Sequence, residues 1–194
     1  PMLARKAVFS GNIDGFSAKE DELVELAEEI RALQETDSGM TPIRMRVEYL
    51  LGRYEMFVRD SQRGRSCIEK SLELAKEIPD RDYIFYNYLQ LILYGDLTGQ
   101  NAYMRQVIET CMEFMKDCTR HHLEEECMLI RYLGICMMKD GEYEKAEKLF
   151  MEAVKRLDHT DGSTERYRRE LSACHHDMGI CYIRQKKWEK ACVC

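Results

Sequence analysis

Proline is scarce in this chain, with three in 194 residues, and glycine is held to eleven. So few breakers leave long uninterrupted segments, which abundant Glu, Lys, Leu, Met and Arg fill with good helix formers. Long apolar runs are missing as well. None approaches the roughly 20 residues that a spanning helix needs. The first residues, Pro1-Met2-Leu3-Ala4-Arg5-Lys6, hold no signal-peptide hydrophobic region, so a cytoplasmic location without membrane contact is expected. Positive charge is not in excess: 29 Lys and Arg against 35 Asp and Glu give a net charge of -6. That balance makes no case for direct nucleic-acid contact. Strand-like alternation competes nowhere, and the fold class read from the chain is all-α.

Catalytic signatures are also lacking. Nucleophile elbows, phosphate-cradling loops and paired HExxH histidines do not occur, and Gly11 and Gly15 lack the Lys-Ser/Thr that a phosphate loop requires. Glu124-Glu125-Glu126 is most simply a solvated helix face. The chain is therefore read as no enzyme, with no catalytic residue and no cofactor.

What the chain does have includes nine cysteines. A secreted disulfide scaffold would be short and loop-rich, whereas this chain is long and helical. Cys67, Cys111, Cys136 and Cys181 fall on apolar helix positions, where a reduced thiol acts as a small hydrophobe. Two clusters invite a zinc reading: Cys118, His121, His122 and Cys127, and then Cys174, His175, His176 and Cys181. Neither closes a tetrahedron with paired spacing, and adjacent histidines on a helix point about 100° apart, so no metal is expected. Cys192-Val193-Cys194 lacks thioredoxin spacing.

Helices can be read from their punctuation. Ser17 and Glu20 form a capping box ahead of Leu23, Leu26, Ala27, Ile30 and Leu33. Thr41-Pro42 opens the next helix as N-cap and first turn. Another carries Cys67, Ile68, Leu72 and Ala75 and stops before Pro79, and the next runs from about 82 to Gly95. After Gly99 come Val107, Ile108 and Cys111 at helical spacing. A helix over about 119–139 ends at Asp140-Gly141, a glycine stop, with 142–157 as its partner. A polar stretch, 159–163, separates these from a helix over about 164–184, and a last one begins near Lys187. Short loops predict antiparallel hairpins, with pairs at about 1–39, 41–78, 82–117, 119–158 and 164–194 in one domain.

The chain also repeats itself. Leu133-Gly134-Ile135-Cys136 followed by Tyr143-Glu144-Lys145-Ala146 is echoed, 45 residues on, by Met178-Gly179-Ile180-Cys181 and Trp188-Glu189-Lys190-Ala191. The Gly-to-Ala step is twelve residues in both copies, and Gly52 and Gly64 repeat it. The pair over 83–114 is expected too, with its register open by one residue. Self-similarity at such periods marks a stacked-repeat architecture.

Gly134, Ala146, Phe150 and Ala153 resemble the tetratricopeptide repeat, where small residues let two helices touch and an aromatic fills the groove between pairs. Asp158 stands where that family often closes with proline, and Met137 replaces an aromatic. Spacings near 40–45 exceed the standard 34 and resemble the looser arrays of bacterial signal-responsive transcriptional regulators and peptide-sensing quorum regulators. The resemblance implies a right-handed superhelix of antiparallel pairs, a tetratricopeptide-like α-α solenoid. It also implies a concave binding face made from particular helix positions. In this chain those are Arg46, Tyr49, Arg53, Met56 and Phe57, then Met128, Arg131, Ile135, Met138 and Lys139, and finally His176, Ile180, Ile183 and Arg184.

Cations mixed with Met and aromatics in an acidic chain suit a protein or peptide partner bearing acidic groups. The plainer alternative is that these arginines pair with neighbouring Glu side chains. The function expected is a partner-binding scaffold or sensor domain of a larger bacterial regulator. Alternatives are a small-signal or peptide-sensing domain, or a helical module attached to an enzyme. The chain is further expected to be a fragment of a longer array, and to dimerise through the repeat that holds Trp188.

Overall fold

A computed structural model describes Glu29 and residues 38–116, 123–158 and 165–194. The expected capping box at Ser17, the helix after it, Cys118, His121, His122 and the polar stretch 159–163 lie outside the described residues. Every regular element among the described residues is helical. None of those helices is long and apolar enough to cross a membrane. The chain falls into two compact units, one ending at Tyr94 and the other beginning at Gly95.

In the first unit α1 spans Thr41–Tyr54 and continues into a π-helical turn, Glu55–Arg59. A short 3-10 turn, Ser38–Met40, precedes it, so Thr41 is already helical and Met40 occupies the cap position without a side-chain bond. Helix α2 spans Ser61–Glu77. Asp60 caps it, accepting from the amides of Gln62 at 2.8 Å and Arg63 at 3.1 Å, which satisfies two orphan donors. Helix α2 buries Cys67, Ile68, Ser71, Leu72 and Ala75, one stripe at three- and four-residue steps, against α1. Ser71 fits that stripe because its hydroxyl donates to the Met45 carbonyl at 2.9 Å. The two helices touch at glycines: a Cβ on Gly64 would lie 2.4 Å from the Met56 amide nitrogen, and one on Gly52 2.7 Å from Ile68. Helix α3, Arg81–Leu97, runs across the boundary between the units and buries Phe85 and Ile92 completely.

The second unit holds α4 (Asn101–Lys116), α5 (Leu123–Lys139), α6 (Tyr143–Leu157), α7 (Glu165–Arg184) and the short α8 (Trp188–Ala191). Helix α5 packs on α4, α6 and α7; α7 also packs on α6 and α8. Helix α5 starts with three glutamates and ends with Lys139, charges that complement its dipole. On α6 the residues Ala146, Phe150, Ala153 and Leu157 are all fully buried, and the Phe150 ring occupies the space where a Gly134 Cβ would sit, 2.6 Å from its nearest carbon.

The repeat is visible in the turns. Gly99, Gly141 and Lys186 all have positive φ, at 69°, 80° and 60°. The residue after each donates its amide five residues back: Gln100 to Gly95, Glu142 to Met137 and Lys187 to Tyr182. These turns settle the open register. Counting from Gly99 as from Gly141, Met104 stands where Ala146 stands, and Ile108 and Cys111 where Phe150 and Ala153 stand. A large residue at the small position is accommodated because Gly95 faces it; a Cβ on Gly95 would lie 2.8 Å from that of Met104.

Candidate partner-binding face

One turn before Gly52 on α1 lies Tyr49, half-buried, with Arg46 and Arg53 one turn to either side. Helix α3 supplies the other half of the face. Tyr49 meets Tyr83 edge-on at 5.5 Å between centroids, and Tyr83 meets Tyr86 at 6.1 Å. The Arg46 guanidinium sits over the Tyr83 ring at 5.7 Å, and that of Arg53 over Tyr49 at 5.8 Å. Gln90 donates a long bond, 3.5 Å, from Nε2 to the Tyr49 hydroxyl. Burial pushes the Tyr49 and Tyr83 phenols above their ordinary range, against the pull of Arg53 and Arg46 respectively, so both hydroxyls stay neutral. Neither Arg46 nor Arg53 forms an ion pair with a carboxylate among the described residues. Two cations held over tyrosine rings, with Arg46 exposed and Arg53 half-buried, can receive carboxylates from outside the chain.

The other residues expected on the concave face have different surroundings. Met56 and Met138 are in the core, and Ile135 and Ile180 pack half-buried against the cluster of Met138, Ala146, Phe150 and Cys181. Lys139 binds the Asp96 carboxylate at 2.5 Å and the Asp96 carbonyl at 3.1 Å, closing the end of α3. Phe57, His176, Ile183 and Arg184 are exposed.

Arg131 is buried, and its own chain satisfies it. Its Nε donates to Glu170 at 2.5 Å and its Nη1 to Asp177 at 2.7 Å, while the guanidinium lies 4.5 Å from the centroid of Tyr132. Burial works against that charge, but Glu170 and the hydrogen bonds from both carboxylates outweigh it and hold the guanidinium firmly protonated.

Tyr49 and Arg131 turn out to be the same position, each three residues before the helix-contact glycine. Their partners correspond too. Tyr83 and Glu170 lie sixteen residues before the turn residues Gly99 and Lys186, and Gln90 and Asp177 lie nine before. One seam between successive first helices is therefore built twice, with tyrosine meeting Tyr83 and Gln90, and with arginine meeting Glu170 and Asp177. Sequence reasoning missed Tyr83, Tyr86 and Gln90 because the register of their helix was open. The signal that could have found them was the left-handed turn at Gly99.

The buried cysteines do no surface chemistry. Burial raises the thiols of Cys127 and Cys174 to about 12 and that of Cys136 to about 11, which keeps them protonated. Among the described residues no group of three or more His, Cys, Asp or Glu side chains could hold a metal ion. No protein-family model matches the chain, and a search of curated proteins finds no match.

Proposed function

We propose that this chain is a partner-binding helical-repeat module, and that the Arg46, Tyr49, Arg53, Tyr83 and Tyr86 face of its first unit receives an acidic protein segment or peptide. The observation that carries this reading is the pair of arginines stacked over tyrosine rings without a carboxylate partner among the described residues. A guanidinium on a ring is partly stripped of water yet keeps its donors, which favours a charge-assisted bond to an incoming carboxylate. On this reading the pairs stack as a right-handed superhelix of the tetratricopeptide kind. The recurring twelve-residue glycine step and the shared left-handed turns support that stacking. The module would serve as the scaffold or sensor part of a larger regulatory protein, of the sort found in bacterial transcriptional regulators.

An array of immobilised 15-residue peptides, graded in net charge and aromatic content, tests the assignment. The acidic members should be retained by the wild type and released by Arg46→Glu with Arg53→Glu, at unchanged helical circular dichroism. Equal retention of basic peptides, or an unaffected double variant, would sink it.

A further inference from the structure

The second unit carries a groove of about 610 Å³ along α7, lined by Arg168, Ser172, His175, His176, Gly179 and Cys194. The repeat itself shows what such a groove takes. Forty-five residues earlier the corresponding stripe on α5 is Leu123, Cys127, Ile130, Arg131 and Gly134, and it is covered by α6 and α7. There Phe150 fills the space over Gly134, Ala153 joins the cluster with Cys127 and Ile130, and Leu157 closes the end beside Leu123. On α7 the space over Gly179 is open: a Cβ there would meet nothing nearer than Cys194 at 3.6 Å. The size of the occupant is thus set by the template, a helix running beside α7 with a large side chain aimed at Gly179.

Its charge is set by the differences. Where α5 presents Leu123, Cys127 and Ile130, α7 presents Arg168, Ser172 and His175, and the position of buried Arg131 is taken by exposed His176. Arg184, which makes no ion pair among the described residues, extends the basic edge. The only carboxylate within reach of Arg168 among the described residues is Glu165, at a loose and exposed 3.6 Å. A helix identical to α6 would set Leu157 against a guanidinium. A second copy of this chain, meeting the groove with its own α7, would set Arg168, His175 and Arg184 against like groups. We infer that the α7 groove docks an acidic amphipathic helix from a partner, with an aromatic residue seated over Gly179, a small residue three positions on, and a carboxylate seven positions on that pairs with Arg168. The spacing is that of Phe150, Ala153 and Leu157.

The probe is a fluorescein-labelled synthetic peptide of Tyr143–Leu157 carrying Leu157→Glu, titrated into the full 194-residue chain and followed by anisotropy. Saturable binding is expected, at least tenfold weaker for the unaltered peptide and for the Arg168→Glu protein. A peptide with Leu157→Lys should recover binding to Arg168→Glu, which a merely structural effect of the substitution would not produce. Gly179→Met, which fills the socket from the protein side, should abolish binding while raising or preserving the thermal midpoint. Absence of binding, equal affinity for wild type and Arg168→Glu, or a sedimentation dimer that the peptide cannot dissociate would overturn the proposal, the last by giving the groove to a second copy.

Discussion

Gly64 lies against the backbone of Met56, so close that a Cβ would fall 2.4 Å from the Met56 nitrogen and 2.6 Å from its Cα. Backbone cannot swing aside as a long side chain can. Gly64→Ala must push α2 away from the π-helical end of α1, although alanine is the better helix former. A loss of about 3 kcal/mol is expected, of the order that overpacked cores show. Gly52→Ala meets the flexible end of Ile68 first and should cost less. Urea denaturation of both variants checks the order; a Gly64→Ala protein as stable as wild type would mean the helices do not touch there.

Removing Arg131 strands Glu170 and Asp177, whose side chains are 5% and 12% exposed. Arg131→Met alone should therefore lose about 3–5 kcal/mol. Combining it with Glu170→Leu and Asp177→Leu should return most of that loss, since an apolar seam of similar volume needs no desolvated charge. If the triple variant is no more stable than the single one, the pairs contribute more than their desolvation costs.

The thiols give the fold an alkaline limit. Cys127, Cys136 and Cys174 are raised to about 12, about 11 and about 12, from an ordinary value of 9.0. Because the folded values lie above the unfolded ones, this contribution is complete below pH 9 and is lost as pH rises toward 11–12. There the unfolded chain releases protons that the folded chain retains. Thermal midpoints measured between pH 8 and 10 should fall more steeply for wild type than for a variant with all three changed to alanine.

Lys186 holds a left-handed φ of 60° at a turn where the equivalent residues are Gly99 and Gly141. A side chain there costs about 1–2 kcal/mol, so Lys186→Gly should stabilise the second unit by up to about 1 kcal/mol after the added flexibility of the unfolded chain. Gly141→Ala should move stability by a similar amount in the opposite direction. A scanning-calorimetry comparison of the two variants tests the sign in each case.

The helices were legible in the sequence because their punctuation is local. Gly141, Pro79 and the stripe Ala146, Phe150, Ala153 and Leu157 each act within a turn or two. The π-helical turn at Glu55–Arg59 was not legible, since nothing in Glu55-Met56-Phe57-Val58-Arg59 marks a wider helix; contact with Gly64 sets its surroundings. The candidate face was half legible. Arg46, Tyr49 and Arg53 follow from spacing on one helix, whereas Tyr83, Tyr86 and Gln90 require knowing how the next helix is turned. The reading of the arginines as a single class also divides: Arg131 takes the plainer alternative, internal pairing, while Arg46 and Arg53 do not.

The seam that Tyr49 and Arg131 share makes the stacked helices non-interchangeable. Exchanging α3 for α7 would set Glu170 and Asp177 against a tyrosine in one place, and Tyr83 and Gln90 against an unpaired guanidinium in the other. A duplicated repeat can therefore drift only in threes, one residue on the first helix together with two on the next that lie seven positions apart. Among descendants of a common ancestor those three sites should change in concert, a pairing code written between neighbours that keeps each helix in its own place along the chain.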